Sequence, residues 1–324
     1  MAEHAVVPAR VTRGKARGLS PLRRREELIG YLFASPIIVG LLVFAAYPAL
    51  ASVYYSFNDY NVIQPPYWTG LHNYQTLLSD GLFWLSLINT AIYSVISVPL
   101  GLVCGLGLAL LLRQKLRSIG FFRALVYLPS VVPTVAGTIL WLWILNPQYG
   151  VVDNVLGALG FTGPDWLNDP IWTKPALILM SLWGIGPTAI IFLAGLQDIP
   201  DSLYEAAEID GAGRLAAFRH VTLPLITPTL FFNLILGIIG ALQVFNQPFI
   251  WGVAASGGSN SNAGGPENSI LMYVVYIYQS AFQNFQMGYA SALALILFLV
   301  ILALTLLVMW SSRRWVYYEG AAPR

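Results

Sequence analysis

The sequence predicts an all-α membrane protein with six transmembrane helices and both termini on the cytoplasmic side (N-in/C-in). Three observations predict it. Only 10% of the 324 residues are charged and 57% are hydrophobic, whereas a soluble globular domain carries roughly 25% charge. The few charges divide the chain into windows free of Asp, Glu, Lys and Arg, each able to hold a helix of about 20 residues, the length that crosses a hydrocarbon core. The basic residues also fall almost wholly into alternate connections.

A basic tail, residues 1–28, leads in with Arg10, Arg13, Lys15, Arg17, Arg23, Arg24 and Arg25. It is expected to be disordered and to set topology. The first span, 29–57, is too long for the apolar core of a signal peptide, and no small-x-small site ends it, so an uncleaved helix is expected. An extracytoplasmic loop, 58–85, follows. The second span, 86–112, presents Gly101, Gly105 and Gly107 as a small-residue face for close helix packing inside one subunit, with a dimer seam as the alternative. It also holds the lone cysteine, Cys104, which excludes an internal disulfide and is expected to serve packing.

Arg113, Lys115, Arg117 and Arg123 separate it from the third span, 122–145. The fourth span, 175–196, contains Gly184, Gly186 and Pro187, a combination that loosens or kinks a helix. A polar cytoplasmic segment, 201–228, holds Arg214 and Arg219. The fifth span, 226–250, is expected to end near Trp251, because 252–268 is rich in Gly, Ser and Asn. The sixth span, 287–311, closes a five-helix core over 86–312, and the tail 313–324 adds Arg313, Arg314 and Arg324. Only Lys174 stands on the opposite side, so the distribution is sixteen against one.

The spans hold no ionisable group in their middles. That argues against a proton- or sodium-coupled carrier and disfavours an anionic cargo. No GxxxxGK[ST] occurs, so the chain has no P-loop. His4, His72 and His220 are scattered, no HExxH or Cys/His cluster exists, and no metal site is expected. There is no GxSxG elbow, and no catalytic residue is identified.

Residues 202–228, SLYEAAEIDGAGRLAAFRHVTLPLITP, carry their own start and stop signals. Ser202 with Glu205 has the spacing of a capping box, which predicts a helix from about Leu203 to Asp210. Gly211 and Gly213 would stop it at a C-cap. A second helical turn would run through Phe218, and Pro224 and Pro228 would end it and launch the fifth span. With small or apolar Leu203, Ala206, Ala207 and Ile209 among the acids, the helix could either cap itself at the interface or dock closely into a partner's cleft.

The stretch EAAEIDGAG, then Phe218, then VTLPLITP closely resembles the EAA signature of bacterial ABC-importer permeases. Its anchors are Glu205, Ala206, Ala207, Asp210, Gly211, Val221, Leu223, Pro224 and Pro228. YLFASPII, NTAIYSV, FFRALVYLPSVVP, LNPQYGVVDNVLGALG, AGLQDIP and WGVAASGG look like the sugar (carbohydrate uptake, maltose-type) branch, and the resemblance covers about 28–312. It implies the type I importer permease (MetI-like) architecture in a bacterial cytoplasmic (inner) membrane. The implied partners are a second homologous permease, two ATP-binding subunits that use ATP and Mg, an extracytoplasmic solute-binding protein, the lipid bilayer and a sugar. No nucleic acid is involved, and no cofactor is bound by this chain. The coupling element would be Glu205, Ala206, Ala207, Asp210, Gly211 and Pro224. Glu205 would pair with a basic residue of the ATPase, and Gly211 would let the chains approach. The loop AASGGSNSNAGGPEN departs from the commoner TGGGP-like ending and looks like an insertion.

Sugars need hydroxyl partners and flat apolar faces. The family's pocket lies between the later spans, where Ser181, Trp183, Thr188, Gln243, Asn246 and Gln247 are the candidates. Interhelical hydrogen bonding is the plainer role for such amides. The alternatives to a sugar importer are a glycerol-phosphate or polyol permease, and an ATPase-independent carrier or channel.

Overall fold

The computed structural model describes residues 21–114, 117–256 and 263–317. The chain divides after Ala51. In the first unit α1 (Pro21–Leu41) leads through a widened, π-type turn at Leu42–Ala46 into α2 (Tyr47–Tyr55). Arg25–Tyr55 is long and apolar enough to cross a membrane. The helix reaches back to Pro21, so residues 21–28, expected as disordered tail, are helical. Proline suits a first helical position, where its missing N–H would have no partner in any case. The expected tail residues 1–20 lie outside the described residues.

The second unit opens with a short antiparallel pair, β1 (Asn58–Asp59) on β2 (Tyr67–Trp68), with Asn58 opposite Trp68. Helix α3 (His72–Ser79) follows, then α4 (Gly81–Leu112), the longest element. Asp80 caps α4 by accepting a hydrogen bond from the Leu82 N–H at 2.9 Å, so the helix starts five residues before the expected 86. α4 packs chiefly against the later helices over Gly186–Gln197 and Thr227–Leu242. Gly105 makes the close approach: a Cβ there would lie 2.9 Å from Thr188. Gly101 and Gly107 meet nothing within 4 Å, so the expected three-glycine seam is a single contact.

Three expected spans are broken. The third consists of α5 (Ile119–Val131) and α6 (Thr134–Ile144), bent by 97° at Val132–Pro133. Proline biases the residue before it to extended backbone, and Val132 is extended. The fourth consists of α8 (Thr173–Trp183) and α9 (Gly186–Gln197), bent by 50° at the glycines that predict a kink. The fifth consists of α13 (Thr227–Leu242) and α14 (Asn246–Ala255), separated at Gln243–Phe245 and running past the expected end at Trp251. Between the third and fourth lies α7 (Val151–Ala158). The sixth span is unbroken α16 (Met287–Ser312), preceded by α15 (Tyr273–Tyr278) and a widened turn at Gln279–Gln283. By length and composition, the described helices provide four spans, or six if each bent pair α5–α6 and α8–α9 is one span.

The polar segment folds as α10 (Asp201–Ile209) and α11 (Arg214–Ala217). A widened turn at Phe218–Thr222 then leads into α12 (Leu223–Leu225) and α13. The expected capping box does not form. Pro200 occupies the N-cap position without a side-chain bond, which places Ser202 inside the first turn, too late to cap. The second helix is not ended by its prolines either. Pro224 and Pro228 each sit in the first turn of a segment, where no N–H is needed. One buried cluster gathers Leu145, Leu177, Met180, Trp251, Tyr273 and Leu293; a second joins Ala109, Leu112, Phe192, Leu196 and Ile226 at the α10 end of α4.

Candidate functional site

The three helix breaks converge on one cavity of about 510 Å³, halfway along α4. Tyr93, Ser97 and Gly101 line it from α4, Thr134 from the α5–α6 break, Gly184 and Pro187 from the α8–α9 break, and Gln243 and Asn246 from the α13–α14 break. Gly186 brings two breaks together. A Cβ at that position would lie 2.5 Å from the Val126 carbonyl oxygen of α5, so only glycine allows this approach. Irregular backbone at membrane depth is tolerated where it is buried in protein or lines a cavity, which accounts for the breaks occurring together.

Of the six sequence candidates, Ser181, Thr188, Gln243, Asn246 and Gln247 line this cavity. Trp183 lines an adjoining chamber of about 230 Å³ with Trp141, and Thr134, Ser181, Gly184 and Gln247 border both. The two indoles meet edge to face, 6.2 Å apart. Among the described residues the amides of Gln243, Asn246 and Gln247 make no hydrogen bond, and Gln243 and Asn246 are exposed. Interhelical bonding therefore does not occupy them. The Ser181 hydroxyl donates to the Ile178 carbonyl at 2.6 Å, and the Tyr93 hydroxyl lies against Ser97 and Ser181. No Asp, Glu, Lys or Arg lines the cavity. Sequence reasoning missed Tyr93, Ser97 and Asn233. Tyr93 and Ser97 are four apart on one helix face, a polar stripe in an otherwise apolar run, and that spacing was the available signal.

At the other end of α4, α10 turns Tyr204 and Ala207 inward as its half-buried residues and leaves Leu203, Glu205, Ala206, Ile209 and Asp210 exposed. The Glu205 carboxylate has no partner among the described residues. Gly211 adopts a left-handed φ of 77°. Around it Ala212 N–H donates to Ala207 O at 2.9 Å and Gly211 N–H to Glu208 O at 3.0 Å, the bond pair of a Schellman C-cap. Gly213 is extended and needs no such freedom. Leu215 stands exposed beyond the cap.

A second polar cluster sits at the opposite end of α4. Tyr276 and Tyr289 both donate to the Asp80 carboxylate, Tyr289 at 2.6 Å. Burial pushes the Asp80 carboxyl up, but those hydroxyls and the backbone N–H groups of Leu82 and Phe83 outweigh it and hold the carboxyl below its usual value. Burial, then the bond to Asp80, pushes the Tyr276 phenol up to about 12.

Residues 97–317 match the family described as the binding-protein-dependent transport system inner membrane component. The chain belongs to that family. It is 39% identical over 92% of its length to the "Probable ABC transporter permease protein YesP" of Bacillus subtilis (strain 168), covering 94% of that protein. It is 35% identical to the "Trehalose/maltose transport system permease protein MalF" of Thermococcus litoralis, over 91% of this chain and 97% of that one. A chain in the crystal structure of "a bacterial ABC transporter involved in the import of the acidic polysaccharide alginate" superposes with a TM-score of 0.77 at 26% identity, over 90% of this chain and 96% of its own length. The chain is thus an ABC-type permease component embedded in a membrane by several helices, part of a transport system that uses a solute-binding protein, and is not an enzyme.

Proposed function

We propose that the chain is the membrane subunit through which an ATP-driven bacterial importer passes a neutral sugar or oligosaccharide into the cell. The observation that carries this reading is the set of three uncommitted amides facing an uncharged cavity. Amides offer donors and acceptors together, as hydroxyl groups require, and the adjoining Trp141 and Trp183 offer apolar ring faces. The names of the relatives favour a saccharide. An acidic one fits poorly, because no Lys or Arg lines the cavity.

The spans number six on this reading, with the basic connections and both termini in the cytoplasm. A second permease completes the pore, and one of two ATPase subunits docks on α10 of this chain, with Glu205, Ala206, Asp210, Leu203 and Ile209 presented to it. Asp210 and Ala207 also belong to the Gly211 cap, which fixes how that face is presented. Nucleotide-driven closure of the ATPases would favour one of two states of the spans, and alternation between them moves the cargo.

Co-purification in mild detergent followed by reconstitution into vesicles tests the reading. The expected result is a complex with an ATPase and a second permease that takes up neutral oligosaccharides only with ATP and the binding protein. Uptake without ATP, or of glycerol phosphate alone, would refute it.

A further inference from the structure

We infer that Tyr204 is a positioning residue that ties the docking helix α10 at once to α4 and to α13, two of the helices that line the cavity. The inference rests on the importer reading above and adds the route by which α10 reaches the cavity. Three contacts meet at one phenol. Arg113, the residue that closes α4, donates from Nη1 to the Tyr204 hydroxyl at 2.8 Å. The same guanidinium lies over the Tyr204 ring, 4.5 Å from its centre. The hydroxyl is also 3.0 Å from Oγ1 of Thr222. Because Arg113 can only donate, the Tyr204 O–H is free to donate to Thr222. Thr222 is buried and ends the widened turn Phe218–Thr222 that leads into α12 and α13.

The two helices reached this way pack on each other, Gly237 of α13 close against Val98 of α4, and both line the cavity. α4 contributes Tyr93, Ser97 and Gly101, and α13 contributes Asn233, Gly237 and Gly240. Arg113 is twelve residues beyond Gly101, about 18 Å of helix. The Arg113–Asp201 pair, at 3.5 Å with Asp201 exposed, adds little. Tyr204 reaches both partners, while Leu203, Glu205 and Ile209 stay exposed for docking. A widened turn is a point where a helix can change its pitch. The Thr222 bond therefore joins a deformable stretch of the chain to the stiff end of α4, and a displacement of α10 acts on both.

The sole cysteine supplies a readout that requires no knowledge of the cargo. Cys104 lies on α4, nine residues before Arg113, and is half-buried. In the assembled transporter, alkylation of Cys104 by a maleimide, followed by mass spectrometry of this chain, is compared with and without Mg-ATP. The unmodified complex is expected to change its Cys104 reaction rate several-fold on Mg-ATP. Tyr204→Phe, which keeps the ring and removes the hydroxyl, should reduce that response to near unity, and Thr222→Val should do the same from the other side. A role confined to stability would lower complex yield or melting temperature in both variants and leave the response of the surviving complex intact; that result would overturn the proposal. If Tyr204→Phe fails to assemble, Thr222→Val alone decides. An unmodified complex without ATPase subunits would overturn the importer reading. A complex with them whose Cys104 ignores Mg-ATP would overturn the Tyr204 inference alone.

Discussion

The Asp80 cluster and the three amides Gln243, Asn246 and Gln247 of the mid-helix cavity are in opposite states. At the end of α4, one carboxylate takes two tyrosine hydroxyls. Nearby, Asn89 donates to the Asn268 and Leu271 carbonyls at 2.9 and 3.2 Å, and Asn73 donates to Ser56 and Asn58. In the cavity, three amides of similar chemistry bond to nothing within the described residues. A polar group that serves the fold finds its partner inside the chain. On the reading proposed above, the free set is kept for the cargo.

Breaking the free set should have the largest effect. Gln243→Ala combined with Asn246→Ala is expected to cut uptake about 100-fold, from two lost hydrogen bonds of about 1.4 kcal/mol each. The melting temperature of the assembled complex should stay within about 1 °C, since neither amide bonds to the protein. A large drop in melting temperature with unchanged uptake would reverse the comparison. Asp80→Ala tests the satisfied set. It leaves two tyrosine hydroxyls without their acceptor and should cost about 1–2 kcal/mol of stability, read by thermal unfolding, with uptake per assembled complex unaltered.

The same cluster sets a pH window. Asp80 is held below its usual 3.8, so its contribution is present above that value and is lost as pH falls through the folded-state value. Tyr276 is raised from 10.0 to about 12, so its contribution is present below pH 10 and is lost as pH rises toward 12. Unfolding curves should show the cluster's share flat between those limits, and Asp80→Asn should abolish the acid limb. Uptake should show no matching dependence from the cavity, which holds no Asp, Glu, Lys or Arg. The smallest effect belongs to Gly211→Ala, which forces a side chain into left-handed backbone at about 1 kcal/mol. Hydrogen exchange should detect faster opening at the α10 cap, and Gly211→Asn, which tolerates that conformation, should open less.

The sequence shows much of this plainly. Charge-free windows mark where the apolar helices lie, and Gly184, Gly186 and Pro187 mark a break that is present. The Gln243–Gln247 cluster marks a cavity wall. Other features depend on tertiary context. The 97° turn at Val132–Pro133 looks in sequence like any proline in an apolar run, since only the neighbouring helices decide whether a proline is tolerated or bends the chain. Ser202 and Glu205 have capping-box spacing, yet with Pro200 at the N-cap the helix starts two residues too early for it. Tyr93 and Ser97 give only a faint sign, their spacing of four in a greasy helix, until α8 places Ser181 beside them. Tyr204 lies within the most legible segment of the chain, as does its partner Thr222, but Arg113 is 91 residues away and neither partner gives a local sign of the contact.

The length of α4 has a mechanical consequence. Its 32 residues extend about 48 Å, and even tilted by 40° they would span about 37 Å, more than a hydrocarbon layer of about 30 Å. The helix therefore outreaches the oily layer it crosses. On the importer reading proposed above, overhang at the Arg113 end, to which Tyr204 fastens α10, would carry α10 clear of the headgroups and within reach of a bulky soluble protein.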